Sequence, residues 1–341
     1  MNSTPMMETQ YTSNGNKSNI TMAALTPCQD MACILYVLAN MLIFILGIAG
    51  NGLVIWIAGF KIKSTNATWY LSLALSDVIF CCTLPIGIVQ VVTDDWIFGL
   101  FMCKFMFFNM FFNWFSSIFL LVIISVDRCL ITMFPVRAQN HRTVGKARII
   151  VCLTWLVSAI CCMPSAFYLD VEYDEKDNRS FCFQNYQNDQ QEVADVVCRF
   201  IFGFVIPFLI IILCYVIIIR KLKTNQMTKK SNKPMKIMTV LIAAFLVCWL
   251  PFHTFALMRL DYDKYSLSFL RSGYKIGIIL ANANSCINPF LYTFMGKDFK
   301  KQCHAVLSKI ENAIREDEGQ HRLSTGTTVN SSGDRSLSTS L

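Results

Sequence analysis

Apolar residues gather in seven runs, near 34–58, 69–92, 102–126, 149–169, 196–219, 236–258 and 274–295, separated by short polar turns. Each run is long enough to cross a hydrocarbon layer of about 30 Å as a helix. The short alternating segments of a membrane barrel are absent. The pattern predicts an all-α membrane protein, a seven-transmembrane helix bundle over residues 34–295. A weaker apolar stripe follows at 296–312, where Phe299, Val306, Leu307 and Ile310 share one face. It predicts a short amphipathic helix lying on membrane lipid. Polar segments, 1–33 and 313–341, bracket the bundle, and the second has the composition of a disordered tail.

Charge gives the bundle an orientation. The turns after the odd-numbered runs hold Lys61 and Lys63, then Arg137, Arg142, Lys146 and Arg148, then a basic stretch from Arg220 to Lys236 without an acid. The opposite turns hold Asp94, Asp95, Asp170, Glu172, Asp174, Glu175 and Asp177. Cytoplasmic loops carry the lysine and arginine excess. The N-terminus is therefore expected outside the plasma membrane and the C-terminus in the cytosol. The net charge of +8 divides into a basic inner face and an acidic outer one, so nucleic-acid binding does not account for it. Residues 1–33 lack the charged start and early apolar core of a cleaved signal, and the first span is expected to be an uncleaved anchor. Glycosylation acceptor patterns start at Asn2, Asn16, Asn19 and, in an outer turn, Asn178. The same pattern at Asn66 and Asn330 falls on the cytosolic side.

Most of the 15 cysteines lie inside the spans and read as small buried hydrophobes. Cys103 and Cys182 would both face the oxidising side, where a disulfide is the expected state; it would pin the acidic loop over the third span. Cys28 and Cys33 have no evident outer partner. Polar residues and prolines interrupt several spans. Asn113, Ser116 and Ser117 fit interhelical hydrogen bonding, but Asp77 has no basic residue in its own span and must be neutral, paired or holding a cation. Asp127-Arg128 closes the third span, a costly place for charge and hence a marker of function.

The ordered set Gly50-Asn51, Leu73-Ala-Leu-Ser-Asp77, Asp127-Arg128-Cys129, Trp155, Pro207, Tyr215, Cys248-Trp249-Leu250-Pro251 and Asn288-Pro289-Phe-Leu-Tyr292 resembles the rhodopsin-like G-protein-coupled receptors. The likeness covers residues 34–305. Asn51-Gly-Leu-Val-Ile-Trp56, Trp96-Ile-Phe-Gly99, Gln139-Asn-His-Arg142 and Ala283-Asn-Ser-Cys-Ile-Asn288 are similar to the chemoattractant branch, the formyl-peptide, chemerin and complement anaphylatoxin receptors. Ile123-Ile-Ser-Val-Asp-Arg-Cys129 and Leu250-Pro-Phe-His-Thr254 lean toward the chemerin receptor.

The resemblance implies a receptor rather than an enzyme. It implies a chemotactic peptide or protein ligand of the chemerin, anaphylatoxin or formyl-peptide type, inhibitory G proteins, receptor kinases and arrestins. Where formyl-peptide receptors use an acid on the third span, this chain has Phe111. In the ligand cavity it implies Arg199 as an anion contact, with Phe107, Phe111, Trp249 and Phe252; snorkelling to the interface is the plainer reading of Arg199. Phe107, Phe108, Phe111 and Phe112 are expected to form one aromatic wall, much of it packing. For activation it implies Arg128 held by Asp127 at rest and released to meet Tyr215 and Tyr292 as span six swings, with Trp249, Pro251, Asn288 and Pro289 relaying the change. Ser231 stands where many relatives carry a restraining acid, so basal signalling is expected. Asp77, Asn113, Ser117, Asn284 and Asn288 match the family's allosteric sodium site, with a water-filled network around a protonated Asp77 as the other reading. No other cofactor is implied. Cys303 is a palmitoylation candidate, and Ser324, Thr325, Thr327, Thr328, Ser336 and Ser338 are phosphorylation candidates. A scavenger or arrestin-biased receptor is the nearest alternative; a transporter would need inverted repeats that the chain does not display.

Overall fold

The computed structural model describes residues 31–175, 178–224 and 233–295, with isolated positions 301, 302, 305 and 308. Helix α1, Met31–Trp56, runs into a π turn at Ile57–Lys61. Its buried residues, among them Tyr36, Asn40, Ile43, Gly47 and Asn51, recur every three or four positions and so share one stripe. Leu35, Leu38, Leu42 and Ile45 are exposed on the other faces. The polar Asn40 and Asn51 and the small Gly47 point inward alongside Tyr36 and Ile43, while leucines face outward, an arrangement that a lipid solvent favours and water does not.

The second span is two helices, α2 (Thr65–Cys81) and α3 (Leu84–Thr93). Pro85 has no N–H for the carbonyl of Cys81, and the helix breaks there. The Thr83 hydroxyl donates to the Phe80 carbonyl at 2.7 Å across the break. The third span, α4 (Gly99–Met133), is 35 residues long and packs against α2, α6 and α8. A short α5 (Pro135–His141) follows, then α6 (Val144–Phe167), capped by the Thr143 hydroxyl accepting from the Lys146 N–H at 3.3 Å. The fifth span joins α7 (Asp189–Phe200), a π turn at Ile201–Val205 and α8 (Ile206–Thr224). Pro207 cannot donate to the carbonyl four residues back, and the π turn ends two residues before it. The sixth span is α9 (Lys233–Met258), continued by a 3-10 turn at Arg259–Lys264. The seventh is α10 (Leu267–Met295).

Among the described residues, six spans are long and apolar enough to cross a membrane by composition. Helix α10 completes the seven, and the buried Asn282, Asn284, Ser285 and Asn288 explain its lower apolarity. All seven expected spans are helical. Most extend past the apolar runs, because the runs mark only the hydrocarbon while the helix continues into polar surroundings; the fourth starts earlier than its run but ends at Phe167, and Leu169 already belongs to a strand. Asn2, Asn16, Asn19, Cys28, Ser231, Cys303 and the tail hydroxyls lie outside the described residues. So does the expected 296–312 helix, apart from the isolated positions.

Between α6 and α7 the chain forms an antiparallel hairpin, β1 (Leu169–Asp174) and β2 (Arg179–Gln184), with Leu169 opposite Gln184 and Val171 opposite Cys182. The expected disulfide joins Cys103 to Cys182, Cα atoms 5.8 Å apart, and ties the hairpin to α4. A second fastening holds it to the turn after α3. The Trp96 N–H donates to the Ser180 carbonyl at 2.8 Å, the Ser180 N–H to Asp95 Oδ1 at 2.8 Å, and Arg179 pairs with Asp94. Cys33 is also disulfide-bonded, to a partner outside the described residues. Asn178 is exposed at the hairpin turn, with φ of 53°.

Candidate functional site

At the acidic end of the bundle lies a cavity with an empty volume of about 460 Å³, its open mouth included. Strand β2 contributes Gln184, α7 contributes Glu192 and Arg199, α9 contributes His253, and Arg259 and Tyr274 come from the start of the 3-10 turn and from α10. Trp114 and Phe252 add aromatic surface. The Arg199 guanidinium lies 4.7 Å from the Phe111 ring centre, a cation–π contact. It also pairs with Asp195 one turn earlier on α7, Nη2 to Oδ2 at 2.9 Å, with both side chains nearly buried. Asp195 further accepts from the Ser165 hydroxyl at 3.0 Å and the Tyr186 hydroxyl at 2.7 Å. Burial raises the Tyr186 phenol well above its usual range, opposed by Arg199 and reinforced by Asp195, so it remains a donor. Arg259 instead lies over the Tyr274 ring, 4.8 Å from its centre.

A smaller apolar cavity, lined by Phe80, Met110, Phe111, Trp249 and Phe252 with Asn113 and Asn282, sits beside an aromatic column. Trp114 stacks on Trp249 with ring centres 5.3 Å apart, and Trp249 meets Phe245 at 6.0 Å. Gly203 makes the room: a Cβ there would stand 2.6 Å from Cζ2 of Trp114. Trp114 borders the first cavity and Trp249 the second, so a push on one reaches the other through direct stacking.

Below the column, buried polar residues join four helices. Asp77 is fully buried; its Oδ1 accepts from Asn113 Nδ2 at 2.9 Å and its Oδ2 from Asn288 Nδ2 at 3.0 Å. Ser285 Oγ donates to Asn113 Oδ1 at 3.0 Å, and Asn51 Nδ2 donates to the Ser285 carbonyl at 2.8 Å. Ser117 Oγ is buried with no hydrogen-bond partner, one turn from Asn113. Asn284 is buried on α10 without a hydrogen bond to Asp77 among the described residues.

At the basic end, Asp127 is bonded to Arg142 at the end of the α5 turn, Nε to Oδ1 at 2.8 Å and Nη2 to Oδ2 at 2.9 Å. Arg128 donates through Nη2 to Asn66 Oδ1 at 2.8 Å, and Arg142 reaches the same oxygen. Tyr215 on α8 shares a hydrogen bond of 2.5 Å with Thr239 on α9. Two cavities at one end, a polar core and an arginine cluster at the other thus lie along one bundle.

The family model for the 7 transmembrane receptor (rhodopsin family) matches residues 50–292. This chain belongs to that receptor family. It is 39% identical to the chemerin-like receptor 1 of Rattus norvegicus over 298 residues, 82% of this chain and 80% of that protein. It is 35% identical to the C3a anaphylatoxin chemotactic receptor of Oncorhynchus mykiss over 342 residues, 95% and 90% of the two chains. Formyl peptide receptor 2 of Mus musculus is 34% identical over 340 residues, 92% and 94%. The receptor is therefore of the chemoattractant type, a multi-pass membrane protein and not an enzyme.

Several expected site residues of the receptor come together, and others are re-assigned. Arg199, Phe111, Trp249 and Phe252 line the two cavities, whereas Phe107 is buried without lining either. The expected single wall is divided: Phe112 meets Trp155 of α6, ring centres 5.7 Å apart, because successive helical positions point about 100° apart. Asp127 does not hold Arg128; Arg142 occupies the carboxylate and Asn66 takes the arginine. Tyr215 bonds Thr239 rather than Arg128, and the Tyr292 side chain lies outside the described residues. Pro251 and Pro289 lie inside α9 and α10 as expected. The sequence reading missed Trp114, Gln184, Asp195, His253, Arg259 and Tyr274. Asp195 and Arg199 carried a usable signal, opposite charges four positions apart on one helix.

Proposed function

We propose that this receptor stands in the plasma membrane with its N-terminus outside and responds to a chemotactic peptide or protein whose terminus enters the cavity lined by Arg199 and Arg259. Ligand contact shifts the bundle between two packings, and the basic end then engages inhibitory G proteins. The observation that carries this reading is the Trp114–Trp249 stack, which borders the ligand cavity and leads toward the polar core. An agonist moves the equilibrium only by its differential affinity for the two packings. Receptor kinases and arrestins acting on the serine- and threonine-rich tail belong to the same reading.

An allosteric sodium ion also belongs to it. The donor set suits a hard cation: a buried carboxylate, the partnerless Ser117 hydroxyl and amide oxygens, drawn from α2, α4 and α10. Asp77, Asn113, Ser117, Asn284 and Asn288 would hold it, and when bound it would offset the Asp77 charge and favour one packing.

The deciding experiment is nucleotide exchange on added inhibitory G protein with the full-length receptor in membranes, driven by a panel of chemerin, C3a anaphylatoxin and formyl peptides. One panel member is expected to raise exchange saturably. No response across the panel, with receptor present at the cell surface, would count against the ligand class.

A further inference from the structure

The two guanidinium groups of the outer cavity differ in what they have already bound. Arg199 is held by Asp195, and that carboxylate is fixed in turn by Ser165 of α6 and Tyr186 ahead of α7. The pair is nearly buried, so its attraction is weakly screened by water. A ligand carboxylate arriving at Arg199 must displace an internal one that three groups already hold. Arg259 makes no direct ion pair with any described carboxylate, feeling the charge of Glu192 from the same lining; it rests on the Tyr274 ring and borders the same cavity. In the same lining, Gln184 Nε2 is buried without a hydrogen-bond partner, as are His253 Nε2 and Trp114 Nε1. A buried donor without an acceptor is unfavourable, and a ligand that brings acceptors relieves it.

We propose that Asp195 determines specificity by neutralising Arg199 internally, so that Arg259 with Gln184 receives the anionic group of the ligand. This rests on the receptor reading above and names the chemistry of its cavity: a carboxylate followed by carbonyl acceptors. Glu192 lines the same wall, so the cavity proper carries two guanidinium groups and one carboxylate, with Asp195 behind. An amidated or esterified terminus loses the charge that Arg259 meets. An arginine fork favours a carboxylate over a neutral amide through paired charged hydrogen bonds.

The test uses purified full-length receptor and two fragments, N-acetyl-phenylalanine and its amide, at millimolar concentration, read by thermal shift and by titration. The acid is expected to raise the melting temperature and the amide to leave it unchanged. Arg259→Gln is expected to weaken the acid about tenfold or more, the loss of a charged hydrogen-bonding partner. Arg199→Gln alone would strand Asp195, so the control is the double variant Asp195→Asn/Arg199→Gln, which removes both charges. It is expected to keep acid binding within about threefold of the unmodified receptor, a small effect on this scale. Asp195→Asn alone releases Arg199 and is expected to tighten the acid, an effect that loss of a merely structural contact would not produce. Acid binding that survives Arg259→Gln but disappears in the double variant overturns the assignment, as does equal binding of acid and amide. Basal nucleotide exchange on inhibitory G protein needs no fragment. A receptor that exchanges nucleotide yet ignores the acid leaves the receptor reading intact and sinks only the role given to Asp195 and Arg259.

Discussion

Asn66 satisfies two cations with one amide oxygen, accepting from Arg128 and from Arg142. Hydrogen bonds that involve a charged partner contribute about 1.5–3 kcal/mol each, against about 1 for neutral ones. Asp127 is meanwhile saturated by Arg142, so the arginine at the end of α4 is held chiefly from α2. Asn66→Ala removes the shared acceptor and leaves the Asp127–Arg142 pair in place. Basal nucleotide exchange on inhibitory G protein is expected to rise several-fold at matched receptor density, the size that about 1 kcal/mol produces. Equal basal rates for the variant and the unmodified receptor would exclude Asn66 as the restraint. Asp127→Asn is expected to act less strongly, because it disturbs Arg142 first. Asn66 was visible in the sequence only as a glycosylation pattern on the cytosolic side, and its partners come from residues 62 and 76 positions away.

At the scale of elements, the fifth span is shaped around a side chain of the third. The π turn at Ile201–Val205 contains Gly203, and the Trp114 ring lies where a Cβ would stand. Gly203→Ala is expected to push Trp114 against Trp249, lower the melting temperature by several degrees and alter agonist potency together with it. Overpacking of this kind typically costs about 1–3 kcal/mol. An unchanged melting temperature would mean that the indole moves aside without loss. This contact was not legible in the chain, although the span was. Apolar runs specify that a helix crosses lipid, but they leave its rotation open, and rotation decides which partner a polar residue meets. The Phe107 to Phe112 series illustrates the point: four aromatics in six residues read as one wall, and the helix period sends Phe112 to α6. The Cys103–Cys182 link was legible because only topology and compartment were needed, whereas α5 and the β hairpin carry no apolar run to announce them.

Across the whole molecule, Asp77 touches α4 through Asn113 and α10 through Asn288, so one carboxylate ties three spans. A change in what Asp77 binds is therefore felt by all three together. With sodium bound, agonist affinity is expected to fall several-fold relative to a membrane suspension in a bulky organic cation, and Asp77→Asn is expected to erase the difference. Identical agonist affinity in the two salts for the unmodified receptor would reject the ion and leave a hydrated polar network. The hairpin acts at the same scale. Gln184 at the end of β2 is part of the cavity wall, and β2 is covalently joined to α4 and fastened to the turn before it. A wall tied at two points does not swing aside to admit a guest. Under the proposed reading a peptide would thread in end first and back out the same way, so a series of ligands is expected to be ranked by residence time more than by arrival rate.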